Sequence, residues 1–193
     1  MRASRLVMAT IAAFSAALSG SSSYAGDEFS ARLSGFEEVG ALPTATSPGL
    51  TGAILSQGTG KLHLDLDREF ATYKLTYSGL GSAVTQAHIH FGKRHVPGGI
   101  SVFLCTNLGN GPANAQPPAC PNPTPGGPAT LSVSGTLTAA SVVGPLPQNV
   151  HPGNFAEFMK IIKSETAYAN IHTALFPAGE IRGQVREDEH DDD

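Results

Sequence analysis

The feature that most constrains the fold is a set of short segments in which apolar and polar residues alternate. Leu62, Leu64 and Leu66 alternate with charged residues and a histidine. Successive side chains of a β-strand point to opposite faces, so this pattern predicts a strand with one buried face. Similar short segments predict further strands at 29–35, 51–56, 71–77, 85–91, 100–104, 131–137, 167–172 and 180–185.

These segments predict an all-β fold, a Greek-key β-sandwich or barrel of about eight to nine strands. The chain has 22 Gly and 14 Pro, which argues against a helical bundle because both residues break helix interiors. One short helix is predicted after Asn154, where Glu157 completes a capping-box pattern and Phe155, Phe158 and Ile162 form an apolar stripe.

The two ends of the chain differ from its body. Residues 1–25 combine two arginines, an apolar run and a small-residue cleavage pattern, which predicts a signal peptide and an exported, periplasmic or secreted protein. The apolar run is too short for a transmembrane span. Residues 187–193 are an acidic segment predicted to be a disordered tail, and residues 26–186 are predicted to be one domain.

Charge excludes one class of partner. The net charge is -4, and the predicted domain carries equal numbers of basic and acidic residues. There is no basic stripe to neutralise phosphates, so nucleic-acid binding is not expected.

The two cysteines, Cys105 and Cys120, are predicted to form a disulfide, the default for a single pair in an oxidising compartment. The alternative is a pair of thiolate metal ligands, but neither cysteine has the close Cys or His neighbour of a zinc site. The disulfide would close a loop within residues 106–129 that is rich in proline and faces solvent.

Three histidines are the candidate metal ligands. His88 and His90 are two residues apart on a predicted strand, so both imidazoles point to the same face. His172 lies on another predicted strand and shares a face with Tyr168 and Asn170. Convergence of the three would make a site for copper or zinc. The alternative is that these histidines only form hydrogen bonds within the protein.

The remaining candidates are weaker. Arg182 is expected to bond to Glu180 or to loop carbonyls, and its functional alternative is to attract an anion. His63 is expected to be solvated. His95 and His151 lie in predicted loops, and either would be a fourth ligand only if the fold brought it close.

Four separated regions resemble the CHRD domain, the module named after chordin, in the order of that family. This resemblance implies an all-β extracellular domain without a generally established catalytic activity. Two features depart from the family pattern: the early Glu-Val-Pro-Pro segment is changed, and the loop bounded by the cysteines looks like an insertion. The matching regions are Phe-Ser-Ala-Arg-Leu-Ser-Gly-Phe-Glu-Glu-Val (29–39) with Pro-Thr-Ala-Thr (43–46), Ala-His-Ile-His-Phe-Gly (87–92), Gly-Thr-Leu-Thr (135–138), and Ala-Tyr-Ala-Asn-Ile-His-Thr (167–173) with Pro-Ala-Gly-Glu-Ile-Arg-Gly-Gln (177–184).

A fainter resemblance is to the copper-zinc superoxide dismutases, which are Greek-key barrels. It implies copper ligation by His88, His90 and His172, with Arg182 as a loose match to an anion-steering arginine. The bridging histidine and the aspartate of the zinc site have no clear counterpart, so the resemblance implies copper alone.

Three hypotheses follow. The first is an exported binding module that holds a transition-metal ion, with copper favoured over zinc. The second is a metal-free structural domain that binds an extracellular protein partner. The third is a redox enzyme similar to superoxide dismutase, which ranks last because a neutral body with an acidic tail steers an anion poorly.

Overall fold

The structure, a computed structural model, describes residues 27–40, 52–123 and 129–188. The predicted signal peptide therefore lies outside the described residues, as does the tail from residue 189 onward. Among the described residues, none of the helices has the length and apolar character needed to cross a membrane.

The prediction of an all-β fold with one helix is confirmed. The described residues form nine strands and one α-helix, α1 (Phe155–Lys163). The strands are β1 (Asp27–Ser34), β2 (Thr59–Leu66), β3 (Phe70–Ser78), β4 (Val84–Phe91), β5 (Gly99–Thr106), β6 (Thr130–Thr138), β7 (Ala167–Thr173), β8 (Ile181–Gln184) and β9 (Arg186–Glu187).

The strands form one antiparallel, nearly closed barrel-like sheet. Their order is β5-β4-β7-β8-β1-β2-β3-β6, and β9 pairs with β1. A hydrogen bond from the Tyr73 hydroxyl on β3 to the Leu104 carbonyl on β5 crosses the interior. This order places β4 beside β7 although about 80 residues separate them in the sequence, and that neighbourhood positions the candidate site.

The alternating residues build the core as expected. Leu62, Leu64 and Leu66 on β2 are buried, as are Phe29 and Leu33 on the neighbouring strand β1. At about 25 cal/mol per Å² of apolar surface, burying one such side chain contributes about 2 kcal/mol. The inward faces of the paired strands therefore specify the register.

The helix begins as predicted, with Asn154 as its cap, but only half of the predicted capping box is present. The Asn154 side chain accepts a hydrogen bond from the backbone N–H of Glu157. The reciprocal half of the predicted capping box is wrong, because the Glu157 carboxylate accepts from the backbone N–H and ring of His151 instead.

Two boundaries differ from the sequence predictions. The strand predicted at 51–56 is wrong for its described part, since residues 52–58 form no strand. This segment forms single hydrogen bonds in place of a strand ladder: the Ile54 N–H donates to the Gly35 carbonyl, and the Ser56 hydroxyl donates to the Glu180 carboxylate. Residues 187 and 188, assigned to the tail, are held against β1, where the Ser30 hydroxyl donates to Asp188.

Candidate metal centre

Strands β4 and β7 bring the three candidate histidines together. Ala87 and Ile89 point into the hydrophobic core, so His88 and His90 point to the outer face of the sheet. In the register of β4 with β7, His88 is opposite Asn170, and His172 is two residues further along β7. Such diagonal neighbours are within reach of long side chains.

The ring nitrogens converge as the first hypothesis expects. Nδ1 of His88 is 3.1 Å from Nε2 of His172. One ring nitrogen from each of His88, His90 and His172 lies within 4.8 Å of the others. Two ligands of one ion with bonds near 2 Å are separated by about 3 to 3.5 Å, so a small closure of the group would allow a shared ion.

Loop carbonyls orient two of the rings. Nδ1 of His90 donates to the carbonyl of Gly98 at 3.0 Å, and Nδ1 of His172 donates to the carbonyl of Pro177 at 2.9 Å. A carbonyl only accepts, so these bonds place the protons on Nδ1 and leave Nε2 of each ring as an acceptor, which in His172 faces Nδ1 of His88. Metal-binding histidines are commonly oriented by the same kind of outer hydrogen bond.

Two buried ring nitrogens have no partner. Nε2 of His88 and Nε2 of His90 are both buried and form no hydrogen bond with any residue that the structure describes. Leaving a buried polar atom unpaired costs about 1 to 3 kcal/mol. A metal ion would satisfy the free lone pair that the bond to Gly98 leaves on His90, so the residues present fit a metal site.

Burial keeps the histidines neutral. Burial, with a smaller effect of the two neighbouring histidines, lowers the pKa of His88 to about 2. Burial also lowers the pKa of His90 to about 4, against the opposing effect of its bond to Gly98. The pKa of His172 is also lowered by burial, against the effect of its bond to Pro177. Neutral imidazole is the form that binds a metal, so the rings do not have to lose a proton first at neutral pH.

Aromatic rings enclose the group. The ring of His90 stacks on Tyr168 with centroids 4.7 Å apart, and the ring of Phe103 meets that of His88 edge-on at 4.4 Å. His88 is 0% exposed, and His90 and His172 are each 8% exposed. These contacts fix the rings and exclude bulk water from them.

Arg182 lies in the same layer. Its Nη2 atom donates to the carbonyls of Lys93 and Val96, which matches the expectation of bonds to loop carbonyls. Its guanidinium carbon is 3.4 Å from the centroid of the Tyr168 ring. The side chain is 2% exposed, so this cation is inside the protein and not on the surface where an anion would approach.

Sequence reasoning missed the two buried glutamates. Glu38 accepts from the backbone N–H groups of Val39 and Gly40 and from the Asn170 side chain, and burial raises its pKa. Glu180 does not pair with Arg182. Its carboxylate instead accepts from three donors, which are Ser56 Oγ, Gly81 N and Thr173 Oγ1. Nothing in the local sequence distinguishes these acids from solvated ones.

The other described histidines lie apart from the group. His95 contacts Glu37 and His151 contacts Glu157, each at 3.1 Å, so neither provides the fourth ligand. The His63 side chain is 43% exposed and lies 3.8 Å from Asp188, and with Glu28 these two form a second, more exposed group of ligand-type atoms.

The disulfide prediction is confirmed. Cys105 and Cys120 are bonded to each other, so neither thiolate is a metal ligand. Asn107 holds the loop between them by bonds to Val84 and Cys120, and the Tyr77 hydroxyl donates to Pro121. The described part of the loop is therefore fastened to the sheet at several points.

The fold and the site define a class of protein. It is an all-β domain with a disulfide-bonded loop and with three histidines that lie on the outer face of the sheet and are buried there. The sequence model of the CHRD domain matches residues 29–185. The chain therefore belongs to the CHRD domain family, as its motifs indicated. No curated protein and no solved structure matches the chain.

Proposed function

We propose that this chain is an exported binding module that holds one transition-metal ion, copper in preference to zinc, at His88, His90 and His172. The observation that carries the proposal is the convergence of the three rings, with two buried Nε2 atoms that have no hydrogen-bond partner within the described part of the chain. Membership of the CHRD family is consistent with a binding module.

The donor set supports copper. Imidazole suits copper and zinc, and at a given nitrogen site divalent copper binds more tightly than divalent zinc. No thiolate takes part, since both cysteines form the disulfide. A disulfide of this kind also supports export, because such bonds persist in oxidising compartments.

A metal-free interaction domain is the second candidate. The contact between His88 and His172 favours it, because these two rings already satisfy each other in part without an ion. A superoxide dismutase-like activity ranks below both. Arg182 is buried, so its charge is not at the surface where it could attract an anion.

Metal uptake tests the proposal. Protein carrying no histidine tag is dialysed against copper or zinc, and bound metal is measured by mass spectrometry. We expect one ion per chain, lost in His88→Ala, His90→Ala and His172→Ala. The matched controls His95→Ala and His151→Ala should keep it. Folded wild-type protein that takes up no metal, or equal uptake in all variants, would favour the metal-free domain.

A further inference from the structure

We propose that the three-histidine group selects copper in its monovalent state, Cu(I), over Cu(II) and Zn(II). This inference rests on the proposed function and specifies the charge of the ion. It follows from the charges that surround His88, His90 and His172, from their burial and from the number of donors.

The ligands and their hydrogen-bond partners carry no negative charge. The outer partners of His90 and His172 are the carbonyls of Gly98 and Pro177, and the hydrogen-bond partner of His88 is His172 itself. A carboxylate in that outer position would make the imidazole a stronger donor and offset the charge of a dication. Neutral carbonyls strengthen the imidazole donors less and do not offset the charge of a dication, which favours an ion of lower charge.

A buried cation lies close to the group. The guanidinium of Arg182 covers one face of the Tyr168 ring, and Tyr168 in turn stacks on His90. The distances from Arg182 to the Tyr168 centroid and from there to the His90 centroid are 3.4 Å and 4.7 Å. Repulsion between this guanidinium and a bound ion is twice as large for a dication as for a monocation.

Glu38 offsets this cation only in part. Its carboxyl group interacts electrostatically with Arg182, but its hydrogen bonds go to Asn170 and to two backbone N–H groups, not to a histidine. Burial also raises the pKa of Glu38, which opposes its negative charge. Glu37, the second acid that interacts electrostatically with Arg182, is paired with Arg94, so the negative charge near Arg182 is shared with other donors.

Burial and donor number act in the same direction. The cost of moving an ion out of water grows with the square of its charge, so a dication costs about four times as much as a monocation at this buried site. Cu(II) also prefers four or more donors in a tetragonal arrangement. The described group provides three imidazoles, a number that suits Cu(I) and is too low for Cu(II). Three histidines also suit Zn(II), so the preference over Zn(II) rests on charge and burial.

Competition titrations test the selectivity. The affinity for Cu(I) is measured without oxygen against a chromophoric Cu(I) chelator, and those for Cu(II) and Zn(II) against chelators of matched strength. We expect the dissociation constant for Cu(I) to be lower than those for both dications by at least about 1000-fold. Equal or tighter binding of either dication overturns the inference but leaves the proposed function standing, whereas failure to bind any of the three ions overturns both.

Two substitutions of Arg182 separate charge from structure. Arg182→Gln removes the cation, so the ratio of the Cu(II) to the Cu(I) dissociation constant should fall by about 10-fold. Arg182→Lys also loses the paired bonds to Lys93 and Val96 but keeps the charge. Its ratio of dissociation constants should therefore stay within about 3-fold of the wild-type ratio. Equal ratios in the two variants would show that Arg182 does not act through its charge. If either variant fails to fold, the wild-type ratio alone decides the selectivity.

Discussion

Nδ1 of His88 lies 3.1 Å from Nε2 of His172, although the two residues are 84 positions apart in the sequence. The carbonyl of Pro177 holds the proton of His172 on Nδ1, so Nε2 of His172 is the acceptor in this contact. In the metal-free protein His88 must therefore donate from Nδ1. A metal ion bound between these two nitrogens would take the place of the proton on Nδ1, so the neutral ring of His88 would carry its single proton on Nε2 and metal binding would require a change of tautomer.

Acid should destabilise the metal-free protein through the three histidines. In the folded state the pKa of His88 is about 2, that of His90 is about 4, and that of His172 is also lowered. In the unfolded chain all three titrate near their usual value of about 6.5. The free energy of unfolding is therefore highest, as far as these histidines are concerned, above about pH 6.5. Below that pH each histidine lowers the free energy of unfolding by up to about 1.4 kcal/mol per pH unit.

Denaturant unfolding with a chelator present checks this sign. The substitution His88→Gln removes one of the groups, so its free energy of unfolding should fall less steeply than that of the wild type between pH 7.5 and 5 (about 1.4 kcal/mol per unit less at most). The difference between the two proteins should therefore shrink in acid. A difference that stays constant over this range would contradict the neutral buried state of His88.

A side chain at Gly98 should disturb the site through His90. A Cβ atom there would overlap the carbonyl oxygen of Phe91, so the loop would have to move. The Gly98 carbonyl orients His90, and its N–H donates to the Tyr168 hydroxyl. We expect Gly98→Ala to weaken metal binding by about 10-fold or more.

The control for that experiment is Gly52→Ala. A Cβ at Gly52 meets no atom of the described residues within 4 Å, so this variant should bind metal as the wild type does. Equal affinities for the two variants, measured by competition with a chelator, would show that the Gly98 carbonyl does not position the ring of His90.

The disulfide should contribute to stability through its loop. Cys105 and Cys120 are 15 residues apart, and closing a loop of that length stabilises the folded state by about 3 kcal/mol. The double variant Cys105→Ser with Cys120→Ser should lose about that much free energy of unfolding in urea. An unchanged unfolding midpoint would mean that the bonds made by Asn107 and Tyr77 suffice to hold the loop.

Much of the sheet could be predicted because alternation is a local property. The buried leucines of β2 and the shared face of His88 and His90 follow from the period of two along one strand. The pairing of β4 with β7 does not, because strand order depends on the whole chain. Sequence reasoning could therefore name His172 as a candidate but could not place it beside His88.

The surroundings of the site were not predictable for a related reason. Segments far apart in the sequence cover the histidines, and residues such as Glu38 and Arg182 are buried only because those segments meet. The cap of α1 shows the same limit on a smaller scale. Glu157 fits the local capping pattern, yet its carboxylate accepts a hydrogen bond from the backbone N–H of His151 and not from that of Asn154.

X-ray absorption at the copper edge, on protein loaded with one equivalent of copper under reducing conditions, tests the central claim most directly. The account predicts a first shell of three imidazole nitrogens at about 2 Å, with no sulfur ligand. In His172→Ala the shell should lose one imidazole, whereas His95→Ala should give the wild-type spectrum. A copper shell of oxygen donors, or a spectrum that is unchanged in His172→Ala, would contradict a metal site formed by His88, His90 and His172.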